Sequence, residues 1–141
     1  SQFSTAGTFK KELFLNSCIN IVTETTFKDN QLFISEKIIK PIIMYQPFII
    51  MGPNGYLKQL KKYGFKTFSD VWDESYDDIE DCNLRLSMIL KLIKELNSKS
   101  IEEFNEIYQK TKNICIYNRR LHDSFKIDSL PQIFKKIENE W

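Results

Sequence analysis

The sequence predicts an α/β fold: a Rossmann-like parallel sheet followed by a helical C-terminal part. Three observations carry that expectation. Short apolar, β-branched runs alternate with helix-patterned segments at crossover spacing over residues 18–81. Turn-forming residues fall where each element would have to end. From residue 82 onward the apolar residues recur at helical spacing only. A chain of 141 residues fits a single domain. It divides into an N-terminal segment (1–17), a βαβ core (18–81) and a helical part (82–141).

Cys18-Ile19-Asn20-Ile21-Val22-Thr23 is short and β-branched, the pattern of a strand buried on both faces. The polar run from Glu24 to Gln31 is a loop. Ser35 is placed to cap a helix opening at Glu36-Lys37, and Pro41 calls for a kink or a short helix. Pro47 to Met51 forms the second strand, with proline at its first residue, where no ladder donor is lost. Gly52-Pro53-Asn54-Gly55 is a tight turn. A helix over Tyr56–Tyr63 is stopped by Gly64. Phe65-Lys66-Thr67-Phe68 alternates like a third strand.

In the last third, Leu84, Met88, Ile89, Leu92, Ile93 and Leu96 form one helical stripe. Ser100 and Glu103 make a capping box for the next helix, whose stripe reads Ile101, Phe104, Tyr108, Thr111 and Cys115. A final helix runs from Leu130 to Glu140, with Pro131 in its first turn.

Composition narrows the function classes. Twenty Lys and Arg balance nineteen Asp and Glu, without the basic excess of a duplex-DNA binder, which argues against a nucleic-acid partner. The charges are nonetheless segregated. Lys37 to Lys66 holds six lysines and no acid, and Asp70 to Asp81 holds seven acids and no base. No apolar run approaches the ~20 residues that cross a bilayer, so no membrane association is expected. Three cysteines without CxxC spacing point to reduced thiols in a cytoplasm rather than to disulfides or zinc. His122, the lone histidine, has no Cys or Ser motif to partner it, and a histidine near a helix end is usually a surface residue.

Parallel α/β sheets bind ligands beyond the carboxyl ends of their strands, where loops meet helix N-termini. Three loops qualify here: Thr23-Glu24-Thr25 with Ser35-Glu36-Lys37, the Gly52–Tyr56 turn, and Ser69–Asp81. A diphosphate would be served by the amides around Gly52 and Gly55 and by the cation of Lys37. A ribose would be served by the carboxylate of Glu24 or Glu36. The glycine pair matches neither a Walker loop nor GxGxxG, and equally fits a plain strand-to-helix turn. The Asp70–Asp78 run sets two large aromatics among five carboxylates, but lacks the glycine and terminal glutamate of an EF-hand loop. It equally fits a solvated loop with its rings in the core. Arg119-Arg120 fits phosphate binding or a pair of cations complementing a helix C-terminus.

Ile34-Ser35-Glu36-Lys37-Ile38, Pro41 and Pro47-Phe48-Ile49-Ile50-Met51-Gly52 together resemble the donor-binding half of α-1,3-fucosyltransferases and related GT-B glycosyltransferases. Gly55-Tyr56-Leu57-Lys58, Gly64 to Phe68 and Trp72-Asp73-Glu74-Ser75-Tyr76-Asp77 resemble a glycosyltransferase-like family of bacteriophages and large viruses. The resemblance covers about residues 18 to 120. It implies a nucleotide sugar as substrate, with Lys37 on its phosphates and a glutamate on its ribose, no other cofactor, and no required metal. The nucleotide-sugar site is then Glu24, Ser35, Glu36, Lys37, Gly52, Asn54 and Gly55. Asp73, Glu74 and Tyr76 form a second candidate group, and no catalytic base is identified. A GT-B enzyme has two Rossmann-like domains and this chain has one, so the resemblance also implies an N-terminal acceptor domain or a partner chain. The competing expectation is a non-catalytic viral or phage interaction protein that keeps the fold.

Overall fold

A computed structural model describes residues 19–24 and 36–125. Within them the protein is α/β, with a small parallel sheet and four α-helices. In order these are β1 (Asn20–Thr23), α1 (Glu36–Ile43), β2 (Phe48–Met51), α2 (Tyr56–Lys62), a 3-10 turn (Ser75–Asp78), α3 (Cys82–Asn97) and α4 (Ile101–Ser124). β1 and β2 pair in parallel, Asn20 opposite Phe48 and Thr23 opposite Met51. Their carboxyl ends are therefore level. Cys18, Ser35, the loop expected over Glu24–Gln31 apart from Glu24 itself, and the helix expected from Leu130 to Glu140 lie outside the described residues.

The core gathers Val22, Ile38, Ile39, Ile42, Phe48, Ile49, Ile50, Leu60, Phe68 and Ile89. Phe48 and Phe68 meet edge to face at 5.0 Å between centroids, and Trp72 leans on Phe68 at 5.2 Å. β1 departs from the expectation of a strand buried on both faces: Val22 is buried while Ile21 and Thr23 are exposed. It covers the core with one face only.

Pro41 lies inside the eight-residue α1, where it removes the donor to Lys37 O, and the helix ends two residues later. The chain leaves α1 through Tyr45, whose φ of 55° is left-handed. Gln46 N donates to Pro41 O and Tyr45 N to Ile42 O, a Schellman closure with tyrosine in the usual glycine position. Arg119 of α4 supports that closure. Its Nη1 donates to Ile43 O at 2.6 Å and its guanidinium lies over the Tyr45 ring. Arg119 thus complements the C-terminus of another helix rather than its own. Gly64, at φ 93°, closes α2 in the same way.

The third strand does not form. Residues 65–67 are irregular, and Lys66 donates its N–H to Asn118 Oδ1 and accepts from Asn118 Nδ2, both at 2.8 Å. One buried carboxamide on α4 replaces the neighbouring peptide that a strand would have needed. On the far edge of β2, Ile50 N reaches only the Tyr76 hydroxyl, at 3.5 Å.

The helical stripes are also corrected. On α3, Leu84 is 50% exposed, and Arg85 is buried beside Ile89, Leu92 and Leu96. On α4 the buried positions are Ile107, Thr111, Cys115 and Asn118, while Ile101 and Tyr108 face solvent at 61% and 44%. The Ser100–Glu103 capping box forms in both directions, at 3.2 and 3.3 Å. No helix among the described residues is long and apolar enough to cross a membrane.

Candidate functional site

The level carboxyl ends of β1 and β2 place Glu24 beside Gly52. Glu24 N donates to Met51 O at 3.0 Å, adding one rung beyond the strands. Its side chain turns inward and is 5% exposed. The buried Tyr56, first residue of α2, donates its hydroxyl to Glu24 Oε1 at 2.9 Å. A Cβ on Gly52 would stand 3.2 Å from Glu24 Cγ and 3.3 Å from both Glu24 Cβ and Ile50 Cγ2. A side chain at position 52 would have to displace Glu24 or Ile50 by a few tenths of an ångström, so close approach favours glycine there, and Gly52 is not among the positive-φ glycines.

Lys37, exposed on the first turn of α1, donates Nζ to Thr23 O at 2.8 Å. A cation on Thr23 O, and a buried carboxylate packed against Gly52, thus lie at the carboxyl ends of the two strands. Glu36 opens α1 and is exposed; Ser35 lies outside the described residues. Asn54 and Gly55 form the half-buried turn leading into α2.

The amides expected to serve a diphosphate at that turn are engaged by the chain itself. Gly55, at φ 78°, donates its N–H to Asp77 O at 2.8 Å. The Asp77 carboxylate then accepts from Leu57 N at 3.0 Å and Lys58 N at 3.1 Å. An aspartate some twenty residues downstream therefore caps α2, which has no side-chain cap of its own. Burial pushes the Asp77 carboxyl above its usual range despite these two amides.

Arg85 ties the same turn to the acidic loop. Its Nε donates to Gly52 O at 2.9 Å and its Nη1 to Ile79 O and Glu80 O at 2.6 and 3.1 Å. In the sequence Tyr56 and Asp77 have no role beyond membership of the Gly52–Tyr56 and Ser69–Asp81 loops, and Arg85 is not among the candidates. Each looked like an ordinary member of a helix or an acidic run, and their partners are distant in sequence. The one available signal was Arg85 itself, a charge next to an apolar stripe.

Asp73 and Tyr76 line one cavity of about 130 Å³, and Glu74 lines another. Asp73 is exposed and accepts from Ser75 N at 2.9 Å, which lowers its pKa. Tyr76 is buried under β2, and burial raises its phenol above the ordinary range. Glu74 accepts from Phe68 N, and burial pushes its carboxyl up to about 7. It shares a cleft of about 260 Å³ with Leu57, Lys58, Lys61, Asp77 and Asp78.

Among the described residues no group of three or more His, Cys, Asp or Glu is arranged to hold a metal ion. Cys115 is buried, which pushes its thiol up to about 12 and makes it a poor nucleophile. The His122 side chain is only 10% exposed, with Nδ1 3.2 Å from Asp123, so it is not the surface residue expected. Comparison with protein-family models, curated proteins and solved structures finds no match to this chain. At the strand ends Lys37 and Glu36 are exposed, and Glu24 is buried on the Tyr56 hydroxyl.

Proposed function

We propose that this chain is the donor-binding half of a glycosyltransferase of the GT-B type, holding a nucleotide sugar at the carboxyl edge of its parallel sheet. The observation that supports the reading is the placing of Lys37 on Thr23 O, and of Glu24 against Gly52, where β1 and β2 end. In this reading Lys37 faces the diphosphate and stabilises it as a leaving group, a task for a fixed cation rather than for covalent chemistry. Glu36, the exposed one of the two glutamates, accepts from the ribose hydroxyls, while Glu24 stays buried on the Tyr56 hydroxyl. Asn54 and Gly55 border the site. Because Asp77 holds the amides of α2, the phosphate charge falls mainly to Lys37 and the first turn of α1. The acceptor and its base would come from a second α/β domain, upstream in the same polypeptide or on a partner chain.

The direct test is the melting temperature with UDP or GDP from micromolar to millimolar concentration. A ligand of the native state raises it, and Lys37→Ala abolishes the rise. No shift with either nucleotide well above a millimolar would remove the reading. The capping of α2 by Asp77 favours a second reading, a non-catalytic interaction protein that retains the fold. Under it, Lys37→Ala leaves partner binding intact.

A further inference from the structure

Segment 67–78 is held shut by its own acidic groups, and one of them is poorly provided for. Glu74 Oε1 accepts from Phe68 N, closing a loop of six residues. Its other oxygen, Oε2, is buried with no well-formed hydrogen bond, the Thr67 hydroxyl being the side-chain donor that faces the carboxyl; Trp72 Nε1 in the same segment is buried without a partner. Among the described residues no cation lies within 4 Å of the Glu74 carboxyl. The charged groups that face it are Lys61 of α2 and Asp77 of the 3-10 turn, with Lys58 and Asp78 on the same cleft. The buried Tyr76 phenol lies close by. An ionised carboxylate there faces the Phe68 amide and the Thr67 hydroxyl as donors, with a neighbouring acid and no paired cation, whereas a neutral carboxyl escapes the cost of burying the charge.

Opening this segment would undo more than one loop. Asp77 N donates to Glu74 O at 3.0 Å, so the residue that caps α2 hangs directly on Glu74. Tyr76, between them, covers the edge of β2.

We propose that Glu74 is a proton-operated latch: neutral, it keeps segment 67–78 closed on the core; ionised, it releases that segment together with the Asp77 cap of α2. The proton goes to solvent and nothing else is consumed. The latch lies beside the turn at Gly55, and it operates with or without a nucleotide at the strand ends.

The sign follows from linkage. Between the ordinary carboxyl value of 4.5 and about 7, the closed form keeps a proton that an open form has shed. Opening therefore becomes easier as pH rises through that window and stops changing above it. Hydrogen exchange on the full chain, corrected for the intrinsic chemical rate, reads this amide by amide. From pH 6 to 8.5 the Phe68, Leu57 and Lys58 amides should lose about tenfold in protection relative to those in the middle of α4. In Glu74→Gln the same amides should keep their protection. Unchanged protection in the wild type, or an equal loss in Glu74→Gln, would overturn the latch. Should Glu74→Gln fail to fold, the carboxyl carbon of wild-type Glu74 followed by NMR decides. A midpoint near 7 supports the latch, and one below 5 overturns it.

Discussion

Two regions of this protein are crowded with polar side chains, and they use them differently. At the strand ends, Glu24 and Lys37 are held by a tyrosine hydroxyl and a strand carbonyl, and the lysine remains exposed. In the acidic stretch from Asp70 to Asp81, four of the seven acids accept from backbone amides: Asp73 from Ser75, Glu74 from Phe68, Asp77 from Leu57 and Lys58, and Asp81 from Leu84. There the carboxylates replace hydrogen-bond partners that an irregular loop otherwise lacks. A dense run of charge in a sequence can therefore be a substitute for secondary structure rather than a binding surface.

Arg85 joins the two regions, so its loss gives the largest expected effect. Arg85→Met removes the donor to Gly52 O and both contacts to the loop, and should cost about 3–4 kcal/mol in urea unfolding. A cost below about 1 kcal/mol would mean that the two regions are not coupled through this side chain.

The second effect depends on pH. The proton held by Glu74 makes the wild type less stable as pH rises from about 4.5 to 7, by about 2 kcal/mol between pH 5 and 8. Glu74→Gln should flatten that slope, so the difference between the two urea midpoints isolates the group.

Capping comes next. Asp77→Ala leaves the Leu57 and Lys58 amides without acceptors and should destabilise by about 1–2 kcal/mol, whereas Asp77→Asn should recover part of this through its one remaining acceptor. Equal losses in both would show that the charge, not the acceptor, matters.

The smallest effect on stability is expected at the strand ends. Lys37→Ala removes an exposed side chain and should change stability by less than about 0.5 kcal/mol, while it abolishes the UDP- or GDP-induced rise in melting temperature. That contrast separates a binding residue from a structural one.

Much of the fold was legible because it rests on contacts within a few residues. The Ser100–Glu103 box, the stop at Gly64, the turn at Gly52–Gly55 and the start of β2 after Pro47 all follow from local backbone chemistry. The approach of Lys37 to the end of β1 is a consequence of a strand–helix–strand order that periodicity alone suggests. What such patterns leave undetermined is which of two equivalent-looking residues turns inward. Leu84 and Arg85 are neighbours, and so are Tyr108 and Ile107; in each pair the buried member was decided by what it meets across the fold.

The strand–helix–strand–helix order, the Ser100–Glu103 box and the parallel character of the sheet were thus set by the chain's own sequence, since each depends on spacing and local propensity. The tertiary structure alone decided three things. Lys66 pairs with the Asn118 carboxamide instead of a third strand, Asp77 fills the N-terminus of α2, and Arg85 lies buried on the Gly52 carbonyl. These partners stand 19 to 52 residues apart. A side-chain carboxamide, carboxylate or guanidinium can replace a backbone partner wherever packing brings it near, and that meeting is a property of three dimensions.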